Sequence, residues 1–150
     1  MIVHRLCRHD RTGLDGAGGL HADGRWHRLG SRIVYTSGTA SLALVEVRVH
    51  LEMAPRGWVT LEIELADSLI QFLDPATLPT GWTEARDTTQ AVGEAWLRDR
   101  QSAVLAVPSV VVPTEKNYLL NPIHPASRQI TVRSVTPFPF DPRLFRGPSS

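Results

Sequence analysis

The stretch "GWVTLEIEL", Gly57 to Leu65, alternates without a break: Val59, Leu61, Ile63 and Leu65 fall on one side, Trp58, Thr60, Glu62 and Glu64 on the other. A period of two is the signature of a strand with one buried face, and such a strand demands partners in a sheet and a layer over its apolar side. Other segments supply the partners. "IVHRLC" sets Ile2, His4 and Leu6 opposite Val3, Arg5 and Cys7, so one polar residue points to each face. "IVYTS" and "ITVRSV" read as short strands. "SAVLAVPSVVVP" reads as two short strands or one strand bent at Pro108 and Ser109, because proline cannot donate to a ladder.

Two segments carry helical signals. "DTTQAVGEAWLRDRQ" is predicted helical to about Arg100, with Asp87 or Thr88 as the cap and Val92, Ala95, Trp96 and Asp99 at helical spacing. "SLALVEVRVHLE", Ser41 to Glu52, fits both periods. As a strand it lines Ala43, Val45, Val47, Val49 and Leu51 on one face and Glu46, Arg48 and His50 on the other; as a helix it groups Glu46 with Leu42, Val49 and Met53. The alternation is the cleaner pattern. A cap at Ser37 or Thr39 and the length of the run favour a helix from near Ala40, and the segment is read as one.

The rest reads as loop. "RTGLDGAGGLHADGRWHRLGSR" holds six glycines in 22 residues and keeps neither period; long ordered loops of this kind often carry function. "TEKNYLLNPIHPASRQ" is assigned as a loop from its Asn-Pro and His-Pro pairs. The C-terminal "PFPFDPRLFRGPSS" has too many prolines for an element interior and should run over the surface, anchored by Phe138 and Phe140. No repeat of solenoid period is present. Residues 1–150 are expected to form one domain, since the length suits one core.

Composition narrows the function classes. With 16 basic and 15 acidic residues the net charge is +1, which gives no case for nucleic-acid binding by this chain. The single cysteine, Cys7, cannot form an internal disulfide and suits a small buried position in the first strand. No apolar run approaches the ~20 residues of a membrane span, and the start lacks a signal-peptide pattern, so a cytoplasmic location is the expectation. Six histidines, at positions 4, 9, 21, 27, 50 and 124, show no metal-ligand spacing, and no metal is expected. "GLDGAGG" lacks the Lys-Ser/Thr of a phosphate-binding loop and the strand-to-helix setting of a dinucleotide turn. Ser109 is not on a nucleophile elbow, and Cys7 has no evident base.

A dispersed polar set remains: Arg5, Arg25, Tyr35, Glu46 and Ser109. A carboxylate inside an apolar run, as at Glu46, costs several kcal/mol unless it reaches water or is paired or hydrogen-bonded, on the order of known burial penalties. Each of the five also has a purely structural reading, as a solvated cation, a core aromatic or a locally satisfied hydroxyl.

Three stretches in order, "DGRWHRLGSRIVYTSGTASLALVEVRVHLE", "VPSVVVPTEKNYLLNPIHP" and "PFPFDPRLF", resemble the RES-domain family, the toxin half of bacterial RES-Xre toxin-antitoxin pairs. The resemblance runs through nearly the whole chain. It implies an α+β fold with a split, twisted sheet like that of ADP-ribosyltransferases. It also implies an activity on NAD as substrate, either hydrolysis or phosphorolysis of the nicotinamide-ribose bond or transfer of ADP-ribose to a target protein. It further implies an Xre-type antitoxin partner whose helix-turn-helix binds DNA and which covers the active site. A degenerate member that only holds its partner, a non-catalytic binding module, is the alternative.

Matched position by position, the family's arginine in "GRW" falls on Arg25, its tyrosine in "VYTS" on Tyr35, its glutamate on Glu46, the serine of "VPS" on Ser109 and the first-strand arginine on Arg5. This sequence departs from the pattern at His4, Asp23 and His27, where the family often has tyrosine, glycine and asparagine. On this resemblance Glu46, Arg25 and Tyr35 are the expected catalytic residues, and Arg5, Arg25, Tyr35 and Ser109 the expected NAD-binding ones. The residue types suit that chemistry. A carboxylate stabilises the positive ribose of an oxocarbenium-like transition state, and a guanidinium fork holds pyrophosphate oxygens. Tyrosine offers a flat face for the nicotinamide ring, and serine a small hydrogen-bonding group.

Overall fold

A computed structural model describes residues 1–147. Seven strands form one mixed sheet: β1 (Ile2–Arg8), β2 (Val34–Ser37), β3 (Trp58–Glu64), β4 (Ile70–Phe72), β5 (Val104–Pro108), β6 (Lys116–Leu120) and β7 (Thr131–Pro137). Their spatial order is β4-β5-β6-β2-β1-β3-β7. The β4–β5 pair is parallel and the others are antiparallel. Two α-helices, α1 (Ala40–Arg48) and α2 (Arg86–Asp99), and short 3-10 turns complete an α+β fold.

The sheet is weakest at its middle. β1 and β2 share one paired position, His4 opposite Ser37, whereas β1 pairs with β3 along its full length and β2 pairs with β6 at four positions. This seam divides the sheet into a β4-β5-β6-β2 half and a β1-β3-β7 half.

Side-chain alternation builds three apolar clusters around these halves. Val3 and Cys7 of β1, Val59, Leu61 and Ile63 of β3, and Val104 and Ala106 of β5 meet in a core drawn from both halves. The opposite faces of β5 and β6 bury Leu105, Val107 and Leu119 against Trp26 and the α2 residues Trp96 and Leu97. β5 is buried on both sides, which is why its sequence reads as continuous apolar residues rather than an alternation. The third cluster packs Leu6 of β1 on Ala43 of α1 and on Phe140, with Phe138 and Phe145 beside them. The two phenylalanines expected to anchor the proline-rich segment do so; positions 148–150 of that segment lie outside the described residues. Cys7 is buried in β1, and burial pushes its thiol pKa up.

The ambiguous segment is a helix. The Thr39 Oγ1 accepts the backbone N–H of Leu42 at 3.1 Å, satisfying one of the free donors of the first turn. Leu42 is buried, which contributes about 2 kcal/mol by area removed from water. The helix ends at Arg48, so Met53 is not on it and is exposed.

Three other expectations need correction, and one strand is unforeseen. "TEKNYLLNPIHPASRQ" is not all loop: Lys116–Leu120 is β6, a central strand paired on both sides, with Asn117 to Leu120 buried. The prolines that suggested a loop, Pro122 and Pro125, lie just beyond the strand. "SAVLAVPSVVVP" forms a single strand that stops at Pro108; the chain then turns, and Ser109 N–H donates to the Glu115 carbonyl. α2 starts at Arg86 with no side-chain cap, so Asp87 and Thr88 sit inside its first turn; its buried face is Thr89, Gln90, Gly93, Trp96 and Leu97, and Asp99 is exposed. β4 was not expected, being only three residues long.

Candidate active site

The seam between β1 and β2 opens into a cavity of about 750 Å³, within the size range of small-molecule sites. Its walls are β1, β2, one face of α1 and the glycine-rich loop. On α1 the lining residues are Ala43, Glu46 and Val47, an i, i+3, i+4 set that a helix presents to one side, and Val49 and His50 line the cavity from just beyond the helix end. Helix rather than strand geometry is therefore what brings Glu46 to the cavity.

Glu46 is half-buried and held by one oxygen. Its Oε1 accepts from Ser109 Oγ at 2.6 Å and from Asn117 Nδ2 at 2.7 Å. Among the described residues Oε2 has no hydrogen-bond partner. Two hydrogen bonds to the carboxylate offset much of the cost of placing it against an apolar wall. The donors are themselves oriented. Val112 N–H donates to Ser109 Oγ at 3.0 Å, and Ser37 Oγ donates to Asn117 Oδ1 at 2.8 Å.

The "GRW" segment is fixed by α2. Gln90 Nε2 donates to the Gly24 carbonyl at 2.9 Å, Thr89 Oγ1 to the Arg25 carbonyl at 2.6 Å, and Glu94 accepts the Arg28 N–H at 2.6 Å. Positions 89, 90, 93 and 94 share one helix face, so a single rigid stretch of helix grips the segment from Gly24 to Arg28. Gly93 permits the approach, since a Cβ there would collide with the Trp26 carbonyl. Arg25, so positioned, lines the cavity and donates one N–H to the Thr83 carbonyl at 3.0 Å.

Tyr35 lines the cavity beside it, but its hydroxyl is already engaged. The oxygen accepts the Trp26 N–H at 3.1 Å and lies 2.7 Å from His27 Nδ1. His27 is buried, and its Nε2 lies 2.8 Å from the Ala22 carbonyl, an acceptor only. In the neutral ring Nε2 therefore carries the proton, and Tyr35 O–H donates to Nδ1. Burial raises the Tyr35 pKa far above the ordinary tyrosine range, which keeps that donor proton in place. The glycine at position 24 matters here too: a Cβ would stand 2.5 Å from the Tyr35 hydroxyl oxygen.

Arg5, on β1, also lines the cavity and donates to the Gly13 carbonyl at 2.9 Å. Asp23 and Arg86 form an ion pair at 3.3 Å on the rim, where a hydrogen bond from Gln90 and then the Arg86 charge hold the Asp23 carboxyl below its usual range. Of the five residues singled out in the sequence, Arg5, Arg25, Tyr35 and Glu46 thus line one cavity. Ser109 is fully buried behind Glu46 and does not line the cavity. Asn117 escaped the sequence reading, as did the place of Ser37 behind it. The available signal was a polar residue opening an apolar "YLL" run, obscured once that stretch was taken as loop.

The RES domain family model matches residues 2–141, a span that contains every residue of this site. The chain belongs to the RES-domain family. A Pseudomonas putida relative named Toxin Res is 40% identical over 151 residues, covering 97% of this chain and 100% of the relative. A Sphingobium relative named Prs ADP-ribosylating toxin is 37% identical over 140 residues, covering 89% of this chain and 87% of the relative. Among solved structures, a chain of the M. tuberculosis MbcT-MbcA toxin-antitoxin complex aligns with a TM-score of 0.74 over 96% of this RES domain and 86% of that chain. At 20% identity that likeness speaks for a shared fold. Among the described residues no His/Cys/Asp/Glu group is arranged to hold a metal ion, and no helix is long and apolar enough to cross a membrane.

Proposed function

We propose that this RES-domain chain is the toxin of a toxin-antitoxin pair and that it consumes NAD, breaking the nicotinamide-ribose bond and passing ADP-ribose to a protein, phosphate or water. The observation that carries the reading is Glu46: a carboxylate on the cavity wall with one oxygen tied back and the other unpartnered. The printed names of relatives, one an ADP-ribosylating toxin, support the same chemistry.

In this reading Arg5 and Arg25, which line the same cavity, hold the pyrophosphate, each retaining guanidinium N–H groups beyond the one given to a backbone carbonyl. Tyr35 offers its ring rather than its hydroxyl, which is engaged by Trp26 and His27. Glu46 stabilises the positive charge that develops on the ribose as the carbon-nitrogen bonding pair departs with nicotinamide, and Oε2 orients a ribose hydroxyl. The acceptor oxygen or other nucleophile supplies the new bonding pair and loses its proton to solvent. Ser109 supports Glu46 from behind.

An antitoxin that covers this cavity, of the helix-turn-helix Xre type, is the partner the proposal includes; the solved toxin-antitoxin complex with the same fold supports it. Action inside the cytoplasm follows from the substrate. The test is direct. Purified protein freed of any partner is incubated with NAD labelled in the adenine, with and without phosphate and lysate. Loss of NAD with label in ADP-ribose, ADP-ribose phosphate or a protein band supports the reading, and intact NAD under all conditions refutes it.

A further inference from the structure

The Glu46 carboxylate is anchored from two separate elements on the same oxygen. Ser109 follows β5, Asn117 is the second residue of β6, and both donate to Oε1. A carboxylate with no such anchor can swing either oxygen toward a ligand; with both donors on Oε1, Oε2 is the oxygen left over. The asymmetry depends on which way the Asn117 amide faces. Turned over, its carbonyl oxygen would face the carboxylate and repel it. The Glu46 oxygen, an acceptor, takes Nδ2, and the Ser37 hydroxyl, able to donate or accept, donates to Oδ1 and braces that orientation. Ser37, Asn117 and Ser109 are all buried, where a hydrogen bond to a charged group is strong and an unmade one expensive.

We infer that Asn117 is a positioning residue for Glu46, braced by Ser37, and that Ser109 acts by the same route rather than by touching the substrate. This rests on the proposed role of Glu46 at the ribose. The competing roles make different demands. A residue that only satisfies a buried strand changes stability and not turnover. A residue that touches NAD directly, which the place of Asn117 on the cavity wall would allow, changes KM and does so whether or not Glu46 is present.

Steady-state NAD consumption by Asn117→Ala, Asn117→Asp and Ser37→Ala separates these roles. Asn117→Asp keeps the size and the acceptor for Ser37 but removes the N–H and sets a second carboxylate against the first. The expected result is a kcat lower by about 10- to 100-fold for Asn117→Ala, the worth of a charge-assisted hydrogen bond, with KM for NAD within about twofold of wild type. Asn117→Asp falls at least as far, and Ser37→Ala falls in the same direction. In a Glu46→Gln background the residual single-turnover rate changes by less than about twofold on adding Asn117→Ala, because the two residues act as one unit. A wild-type kcat in Asn117→Asp, a raised KM as the main effect, or a full additional loss in the Glu46→Gln background overturns the inference. A wild-type protein that leaves NAD intact overturns the functional reading itself, and that failure is visible before any variant is compared.

Discussion

At the scale of single residues, the site is made of polar groups whose partners are already chosen. Tyr35 shows this most plainly: its hydroxyl oxygen accepts the Trp26 N–H and its O–H donates to Nδ1 of the buried His27 ring, whose Nε2 faces the Ala22 carbonyl. Tyr35→Phe keeps the ring but strands both the Trp26 N–H and His27 Nδ1. It should cost about 1–3 kcal/mol in chemical denaturation, the penalty for buried groups left unpaired. If the ring is the part that meets substrate, as proposed, KM for NAD measured well below the unfolding temperature stays close to wild type. The sequence made Arg5, Arg25, Tyr35 and Glu46 visible as a dispersed polar set that matches the family's motif positions, and they do share a cavity. It could not show which atoms were free. Ser109 and Asn117 illustrate the gap, because a hydroxyl in a turn and an amide at a strand start look alike in sequence whether they face a ligand or a neighbouring side chain.

At the scale of elements, α1 and α2 carry different burdens. α1 brings Glu46 to the cavity, and its identity as a helix was legible through Thr39, whose cap outweighed a strand alternation that was the tidier pattern. Thr39→Ala should therefore cost about 1 kcal/mol in urea titration, the usual worth of a lost N-terminal cap. α2 holds the site through the backbone of residues 24–28 and through Arg86, which pairs with Asp23 on the rim. Gly93→Ala would drive a methyl into the Trp26 carbonyl, so the helix must withdraw; overpacking of this kind costs about 1–3 kcal/mol. That variant should also raise KM for NAD, because Arg25 moves with the segment, whereas Ala91→Ser on the exposed face changes neither quantity. The strands divide along the same physical line. β3 has one face in the core and announces itself by alternation, while β6 is buried at four consecutive positions and has no alternation to read. The pairing that makes β6 a strand comes from β5, through a turn after Pro108, and from β2, whose register pairs such as Ser37 with Asn117 lie far away in sequence and are fixed only by tertiary structure.

At the scale of the whole molecule, a sheet that pairs at a single position along its middle leaves room for a ligand between two well-packed halves. The same packing sets how the fold responds to pH. Burial raises the pKa of Cys7, Tyr35 and Tyr118 above the unfolded values, so the unfolded chain loses these protons first. Stability from these groups is fully present below the ordinary thiol range, about 8.5, and declines as pH climbs through the ordinary tyrosine value of about 10. Melting temperature should fall steadily across that window, and Tyr118→Phe should make the decline shallower. Asp23 and Asp141 act at the other end. Their depressed pKa values give stability that is present above about pH 4 and is lost as pH drops through the folded values. None of this establishes the chemistry, which turns on one carboxylate. The most direct test is nicotinamide release from NAD by partner-free protein, compared with Glu46→Gln of matched melting temperature. The predicted result is release by the wild type and a rate lower by about 100-fold or more in the variant, as for loss of a group that stabilises transition-state charge. Equal rates in the two proteins, or no release by the wild type, would contradict it.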